Sequence, residues 1–290
     1  MSYYRVLGLE REPFSTSPDP NFFYQSLSHK TALTNALIEI RLKRGLSIIL
    51  GDIGTGKTTL SRKLFQLFSV RKDIDFYMIL DPNYDTEYLF LLSLIKIFKI
   101  EINISNPTIL DLKEEIKRFL FQKGVNENKT TVLLIDEAQK LNQMSLEVLR
   151  MLLNYETNEF KLLQLIVLGQ MELLPKLVGT KNLMDRVSLK YTLSPLNEEE
   201  TNEMIKFRIR QAGYNGSEDL FSRRAIKAIY GYTQGYPRRI SMLCHKLLKS
   251  LVMENKAIAD EGLVRNLINR EARLGWQKQD LVDLPQKNSY

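Results

Sequence analysis

Residues 47–59 read Ser47-Ile48-Ile49-Leu50-Gly51-Asp52-Ile53-Gly54-Thr55-Gly56-Lys57-Thr58-Thr59. A short β-branched, apolar run closes on glycine, as a buried strand does. A glycine-spaced turn follows and passes into the amphipathic stretch that ends at Leu67-Phe68. Gly51, Gly56, Lys57 and Thr58 fit the spacing G-x-x-x-x-G-K-[ST], with Gly54 inside it. Glycines at this spacing let the backbone turn tightly, so that successive N–H groups point inward and cradle phosphate oxygens. The start of the following helix adds a partial positive charge. Lys57 would reach the β- and γ-phosphates of a nucleotide, and the Thr58 hydroxyl would ligate Mg²⁺. The expected nucleotide contacts therefore run through Gly51, Asp52, Ile53, Gly54, Thr55, Gly56, Lys57, Thr58 and Thr59. A bare glycine turn with an exposed lysine is the competing reading, and the strand-to-helix junction argues against it.

Outward from this stretch, apolar runs alternate with helical periodicity. Strands are expected at Asp75–Leu80, Thr131–Gln139, Leu162–Gln170 and Ser188–Leu193. Helices are expected over Glu87–Phe98, Ile109–Gln122 and Ser145–Tyr155. Upstream, a helix capped by Ser28 stops at Gly45. Such alternation means crossover units and a parallel sheet covered on both faces. Beyond Pro195 every periodic segment reads as helix, with breaks at 213–216, 235–237 and 259–260. The sequence thus divides into an N-terminal lead-in segment (1–45), an α/β domain (46–195), a helical domain (196–273) and a loose tail (274–290).

Val132-Leu133-Leu134-Ile135-Asp136-Glu137 places two acids at the carboxyl end of a strand, where parallel sheets bind ligands. Neighbouring strand residues point to different sides, so Asp136 can serve the Mg²⁺ shell while Glu137 polarises an attacking water. Gln170, ending the next strand, is expected beside Asp136, orienting that water. Arg186, in Leu183-Met184-Asp185-Arg186-Val187, is either an arginine finger acting on a neighbouring subunit's phosphate or a surface ion-pair partner. Arg238, in Gly235-Tyr236-Pro237-Arg238-Arg239-Ile240, is the expected sensor from the helical domain, with Arg239 its rival.

Composition bounds the alternatives. The 290 residues are 44% hydrophobic and 26% charged, which fits a folded protein and excludes a wholly disordered chain. No apolar run reaches the roughly 18–20 residues of a membrane helix, and the N-terminus has no secretory pattern, so a cytoplasmic location is expected. A single cysteine, Cys244, excludes an internal disulfide framework, and two histidines argue against a His-based metal site. The net charge of +7 lies wholly after residue 200, where 16 basic residues face 9 acidic ones. That excess fits either a solvated helical domain or a surface for duplex DNA or another acidic partner.

Taken in order, the strand, GDIGTGKTT, LLIDEAQ, LLNYET, the strand ending LGQ and GYPRRI resemble an AAA+ ATPase. With GLEREPFSTSPDPNFFYQSLSHKTAL at the start, the chain is most similar to the general secretion pathway protein A (ExeA) branch over about residues 5–270. The resemblance implies a P-loop NTPase with a five-stranded parallel sheet of order 5-1-4-3-2 and a C-terminal helical lid. It also implies Mg²⁺-dependent ATP hydrolysis, with ATP bound between the two domains and between subunits of a ring or filament. It further implies a protein partner in a secretion or pilus system. Tyr24 and His29 fall in the lead-in segment, which in such ATPases lies near the adenine; packing against the core is the other reading of both. Secretion members continue into a membrane helix and a cell-wall-binding module that these 290 residues do not contain. The short form is also similar to transposition regulators of the TnsC and TniB kind and, more distantly, to origin-recognition ATPases. The alternative function is thus an ATPase that assembles on duplex DNA and recruits a transposase. Trp276 is read either as a partner anchor or as ordinary packing.

Overall fold

The structure, a computed structural model, describes residues 2–273. The expected tail, with Trp276, lies outside the described residues. The chain separates into two compact units, one spanning Pro18–Ser194 and the other combining the residues up to Ser17 with those from Pro195 onward. The first 45 residues, one segment in the sequence reading, are therefore shared between the two. The chain opens with a one-turn helix, α1 (Tyr3–Val6), in the second of these units.

The α/β unit begins with α2 (Leu27–Arg41), whose cap is Ser26 and not the expected Ser28. The Ser28 hydroxyl is instead engaged by the backbone N–H of Ser194 at 3.2 Å and by the Tyr191 hydroxyl at 3.4 Å. There follow β1 (Leu46–Gly51), α3 (Lys57–Phe68), β2 (Ile74–Ile79), α4 (Glu87–Phe98) and α5 (Ile109–Phe121). Then come β3 (Thr130–Ile135), α6 (Gln143–Leu152), β4 (Leu163–Gly169), α7 (Leu173–Gly179) and β5 (Val187–Leu193). Helix α7 escapes a periodicity reading because it has only seven residues and contains Pro175. Polar side chains fix the helix starts. Thr108 and Asp111 form a reciprocal capping box on α5, and the Asn142 side chain accepts the Ser145 N–H at the start of α6.

All strand pairs are parallel, in the order β2-β3-β4-β1-β5, which is the expected 5-1-4-3-2 read from the other edge. Alternation along the strands sends residues to two cores. Ile48, Leu50, Leu133, Ile135, Leu165 and Val167 meet the apolar faces of α4, α5 and α6. Ile49, Val132, Leu134, Ile166 and Leu168 meet α2 and α3. Burial on both faces is why these strands read as continuous apolar runs.

The other unit carries α8 (Glu198–Gln211), α9 (Arg223–Thr233), α10 (Pro237–Met253) and α11 (Glu261–Arg273). Ile240, Leu243, Cys244, Leu247, Leu248 and Leu251 form the buried stripe of α10. Gly235, at φ +75°, precedes α10 where a Cβ would stand 1.8 Å from the Leu196 carbonyl oxygen, so no side chain fits there. The first residues of the chain dock onto these helices: Glu10 N–H donates to Ala212 O at 2.8 Å, and Phe14 meets the ring of Phe221 edge-on. His245 Nδ1 lies 2.7 Å from the Glu12 carboxylate. Among the described residues no helix is long and apolar enough to cross a membrane.

Candidate functional site

Strand β1 delivers the chain to Gly51, where a Cβ would stand 2.8 Å from Thr55 Oγ1 and 3.2 Å from Leu193 Cβ. The loop closes on itself through the buried Thr55, whose hydroxyl donates to Asp52 O at 2.8 Å. Gly54 (φ +84°) and Gly56 (φ +102°) hold the left-handed conformations that the turn requires. The Lys57 ammonium donates to Gly51 O at 2.8 Å and to Asp52 O at 3.0 Å. Burial pushes its pKa down, while the charges of Glu137, Asp136, Asp52 and Glu172 act the other way. Glu172, which follows β4, is thus an acid of this site that the sequence reading did not single out. Asp52 and Ile53 are exposed, and Thr58 and Thr59 are half-buried at the first turn of α3.

His29 comes to the same loop from α2. It is buried, with Nε2 2.8 Å from Thr55 O and Nδ1 2.8 Å from Ser26 Oγ. Tyr24 is half-buried in the coil before α2.

The acid pair does not sit on a strand as the sequence reading had it. β3 ends at Ile135, and Asp136 N–H makes a last ladder-like bond to Ile79 O at 2.8 Å. Glu137 adopts a left-handed conformation, φ +51°, so strand alternation does not govern the pair. For a non-glycine residue that conformation costs about 1–2 kcal/mol. Asp136 Oδ1 accepts the Glu137 N–H at 2.9 Å, and Oδ2 accepts from Ser61 Oγ at 3.1 Å. Burial raises the Asp136 pKa; the bonds from Glu137 N–H, Ser61 and Thr58 oppose that, and the charge on Glu137 adds to it. Thr58 and Asp136 are therefore neighbours, two hard oxygen donors with an under-compensated negative charge. That chemistry fits magnesium, which takes one or two protein oxygens and completes its shell with phosphate and water. No set of three or more His, Cys, Asp or Glu among the described residues could hold a metal ion alone.

Gln170 follows β4, and its backbone N–H donates to Gln139 Oε1 at 3.1 Å. The same Gln139 donates from Nε2 to Glu137 Oε2 at 2.7 Å. Its carbonyl accepts from Lys176 Nζ on α7 at 2.6 Å. Gln139 thereby ties the Glu137 carboxylate to the end of the neighbouring strand. Its place in LLIDEAQ was visible in the sequence, but its role was not. Ser61, one turn into α3, is a second residue the sequence reading missed.

Arg186 is not brought to the loop of its own chain. It precedes the edge strand β5, whose residue Val187 pairs with Leu46 at one end of β1 while Leu193 pairs with Gly51 at the other. Six residues of strand separate the two positions, about 20 Å at 3.3 Å per residue. The buried Arg186 Nε has no hydrogen-bond partner among the described residues. In the helical unit, Arg238 is exposed at the start of α10, whereas Arg239 stacks over the Tyr236 ring at 5.0 Å.

A parallel sheet in this order, with a glycine loop feeding α3 and an acid pair after the strand one place beyond β4, is the fold of the AAA+ P-loop NTPases. Residues 40–177 match the AAA domain family. Over 248 residues the chain is 33% identical to general secretion pathway protein A of Aeromonas hydrophila, a match covering 85% of this chain and 44% of that protein. The chain thus spans less than half the length of this relative. The ORC2 protein of Aeropyrum pernix in its ADPNP–ADP complexes superposes with a TM-score of 0.61 at 16% identity, covering 90% of this chain and 71% of that one. The Drosophila ORC bound to DNA does so with a TM-score of 0.64 at 17% identity, covering 98% and 70%. At such identities these two structures share the fold.

Proposed function

We propose that this chain binds ATP at the Gly51–Thr59 loop, hydrolyses it to ADP and phosphate, and uses the nucleotide to switch its assembly with further copies of itself. One observation carries the reading: Lys57, Thr58, Asp136 and Glu137, from two separate strand ends, share one electrostatic site. The backbone N–H groups of Gly54–Thr58 and the Lys57 ammonium would hold the triphosphate. Thr58 and Asp136 would hold Mg²⁺, which when bound neutralises charge on the phosphate oxygens. Glu137 would polarise the attacking water, and Gln170 would orient it. Arg186, at the far end of β5 from the loop, would serve the site of a neighbouring copy, so hydrolysis would require assembly. Arg238 is the better lid sensor, since the Arg239 guanidinium is already engaged with Tyr236.

Steady-state phosphate release with MgATP tests the catalytic part. Wild type is expected to turn over, and Glu137→Gln to bind ATP yet release phosphate at least about 100-fold more slowly, the range for a lost general base. Equal rates would overturn it. Arg186→Ala tests the assembly part: it should bind nucleotide and hydrolyse poorly, with activity restored on mixing with Glu137→Gln, because each mutant supplies what the other lacks. The likeness to general secretion pathway protein A favours a secretion or pilus partner. A second reading, assembly on duplex DNA to recruit a transposase, is favoured by the basic excess after residue 200. It requires ATP-dependent duplex binding that falls steeply with salt.

A further inference from the structure

We propose that His29 is a positioning residue for phosphate binding: its imidazole locks the Thr55–Gly56 peptide with the amide hydrogen turned into the loop. The proposal rests on the nucleotide reading above. His29 lies in the first turn of α2, 26 residues before Thr55 and outside the glycine motif, and it is 1% exposed. Thr55 O can only accept, so at 2.8 Å the hydrogen must sit on His29 Nε2. In the neutral ring Nδ1 is then an acceptor and takes the Ser26 hydroxyl hydrogen at 2.8 Å. The same Ser26 oxygen accepts the His29 backbone N–H at 3.3 Å. The edge of Phe23 packs on the ring, with centroids 5.0 Å apart. Tautomer and orientation are therefore fixed from both sides.

The peptide group converts that brace into a phosphate contact. It is planar and trans, so its C=O and N–H point in opposite directions. Holding Thr55 O outward against the imidazole turns the Gly56 N–H toward the interior of the loop, where phosphate oxygens need donors. A flip of this peptide turns on ψ of Thr55 and φ of Gly56, and Gly56, at φ +102°, is the residue that tolerates both signs of φ. A flipped peptide would put a carbonyl oxygen where a phosphate oxygen belongs. The imidazole also fills the space a side chain at residue 56 would need, since a Cβ there would stand 2.9 Å from Nε2.

Two substitutions separate a donor from a filler. His29→Leu keeps bulk and loses the donor, whereas His29→Gln keeps an N–H at the Nε2 position. Calorimetric titration with MgATP should show the Leu variant weakened about tenfold, 1.4 kcal/mol, and the Gln variant within about threefold of wild type. Melting temperatures are to be measured alongside. A folded Leu variant that binds ATP as tightly as wild type would overturn the proposal, as would equal losses in Leu and Gln, which would mark His29 as packing alone. If the Leu variant does not fold, the ¹⁵N spectrum of the wild-type ring decides: hydrogen on Nε2 and a bare Nδ1, unchanged by ATP, supports the lock, and the opposite tautomer overturns it. A wild type that binds no ATP would instead overturn the nucleotide reading, and this proposal with it.

Discussion

The glycine loop at 51–59 and the acid turn at 136–139 face one another across the carboxyl ends of the sheet, and they are built on opposite principles. The loop presents backbone. Its two left-handed positions are glycines, its hydroxyl and ammonium groups bond to its own carbonyls, and its shape follows from its own residues with one brace from His29. The acid turn presents side chains. Its left-handed position is a glutamate, and its carboxylates depend on residues outside the turn: Ser61 on α3 bonds Asp136, and the Gln170 N–H anchors Gln139, which in turn bonds Glu137. Strain is inexpensive in the first and costly in the second. The loop can therefore be read from spacing, whereas the turn has to be read from its neighbours.

Lys57→Ala should do the greatest damage on the loop side. It removes the ammonium that the proposed nucleotide site would set against the phosphates, and MgATP affinity should fall about 100-fold or more, near 3 kcal/mol. An unchanged affinity in titration would break the phosphate-loop assignment. Gly56→Ala attacks the backbone. Alanine at φ +102° is strained, and its Cβ would press on His29 Nε2, so affinity should drop about 30-fold and the melting temperature by several degrees. If Gly56→Ala is silent in both measurements, the loop does not depend on backbone shape in the way described.

Gln139→Leu addresses the acid turn. The substitution keeps the volume and cuts the link between the Glu137 carboxylate and the end of β4. Turnover should fall about tenfold at unchanged ATP affinity, a modest share of what general-base catalysis supplies. A matched loss in affinity would mean that Gln139 shapes the pocket as a whole and the two regions are less separable than their hydrogen bonds indicate.

The same contrast explains how much of the molecule was legible in the sequence. The covered parallel sheet followed from alternating apolar runs, its strand order from the family resemblance, and the loop from Gly51, Gly54, Gly56 and Lys57. Ser26 as the cap of α2 was hidden because Ser28 stands two residues away with the same chemistry, and only the tertiary bonds from Ser194 and Tyr191 separate them. The end of β3 at Ile135 was misplaced because apolar periodicity says nothing about a left-handed glutamate. Gln139, Ser61 and His29 were beyond reach as partners, since each bonds to atoms that only the folded sheet brings near.

The smallest effect is the most discriminating, because it is a gain. Asp136 is buried with its pKa raised, so the folded protein holds a proton on it more readily than the unfolded chain does. Its contribution is therefore most favourable at acid pH and is lost as the pH rises from the ordinary aspartate value of about 4 through the raised one. Asp136→Asn keeps an oxygen for the Glu137 N–H, turns its amide NH₂ to Ser61 Oγ, which can accept while donating to Thr58 O, and removes the charge. Near neutral pH it should melt about 2–4 °C above wild type, which corresponds to roughly 1 kcal/mol in a chain of this size. That advantage should shrink toward pH 4, and Mg²⁺-dependent hydrolysis should be lost throughout. A variant that is less stable than wild type at neutral pH would show that the hydrogen bonds of the acid turn outweigh the burial of its charge. The turn would then be a structural support in its own right, and the contrast with the self-contained loop would fail at the residue on which it depends most.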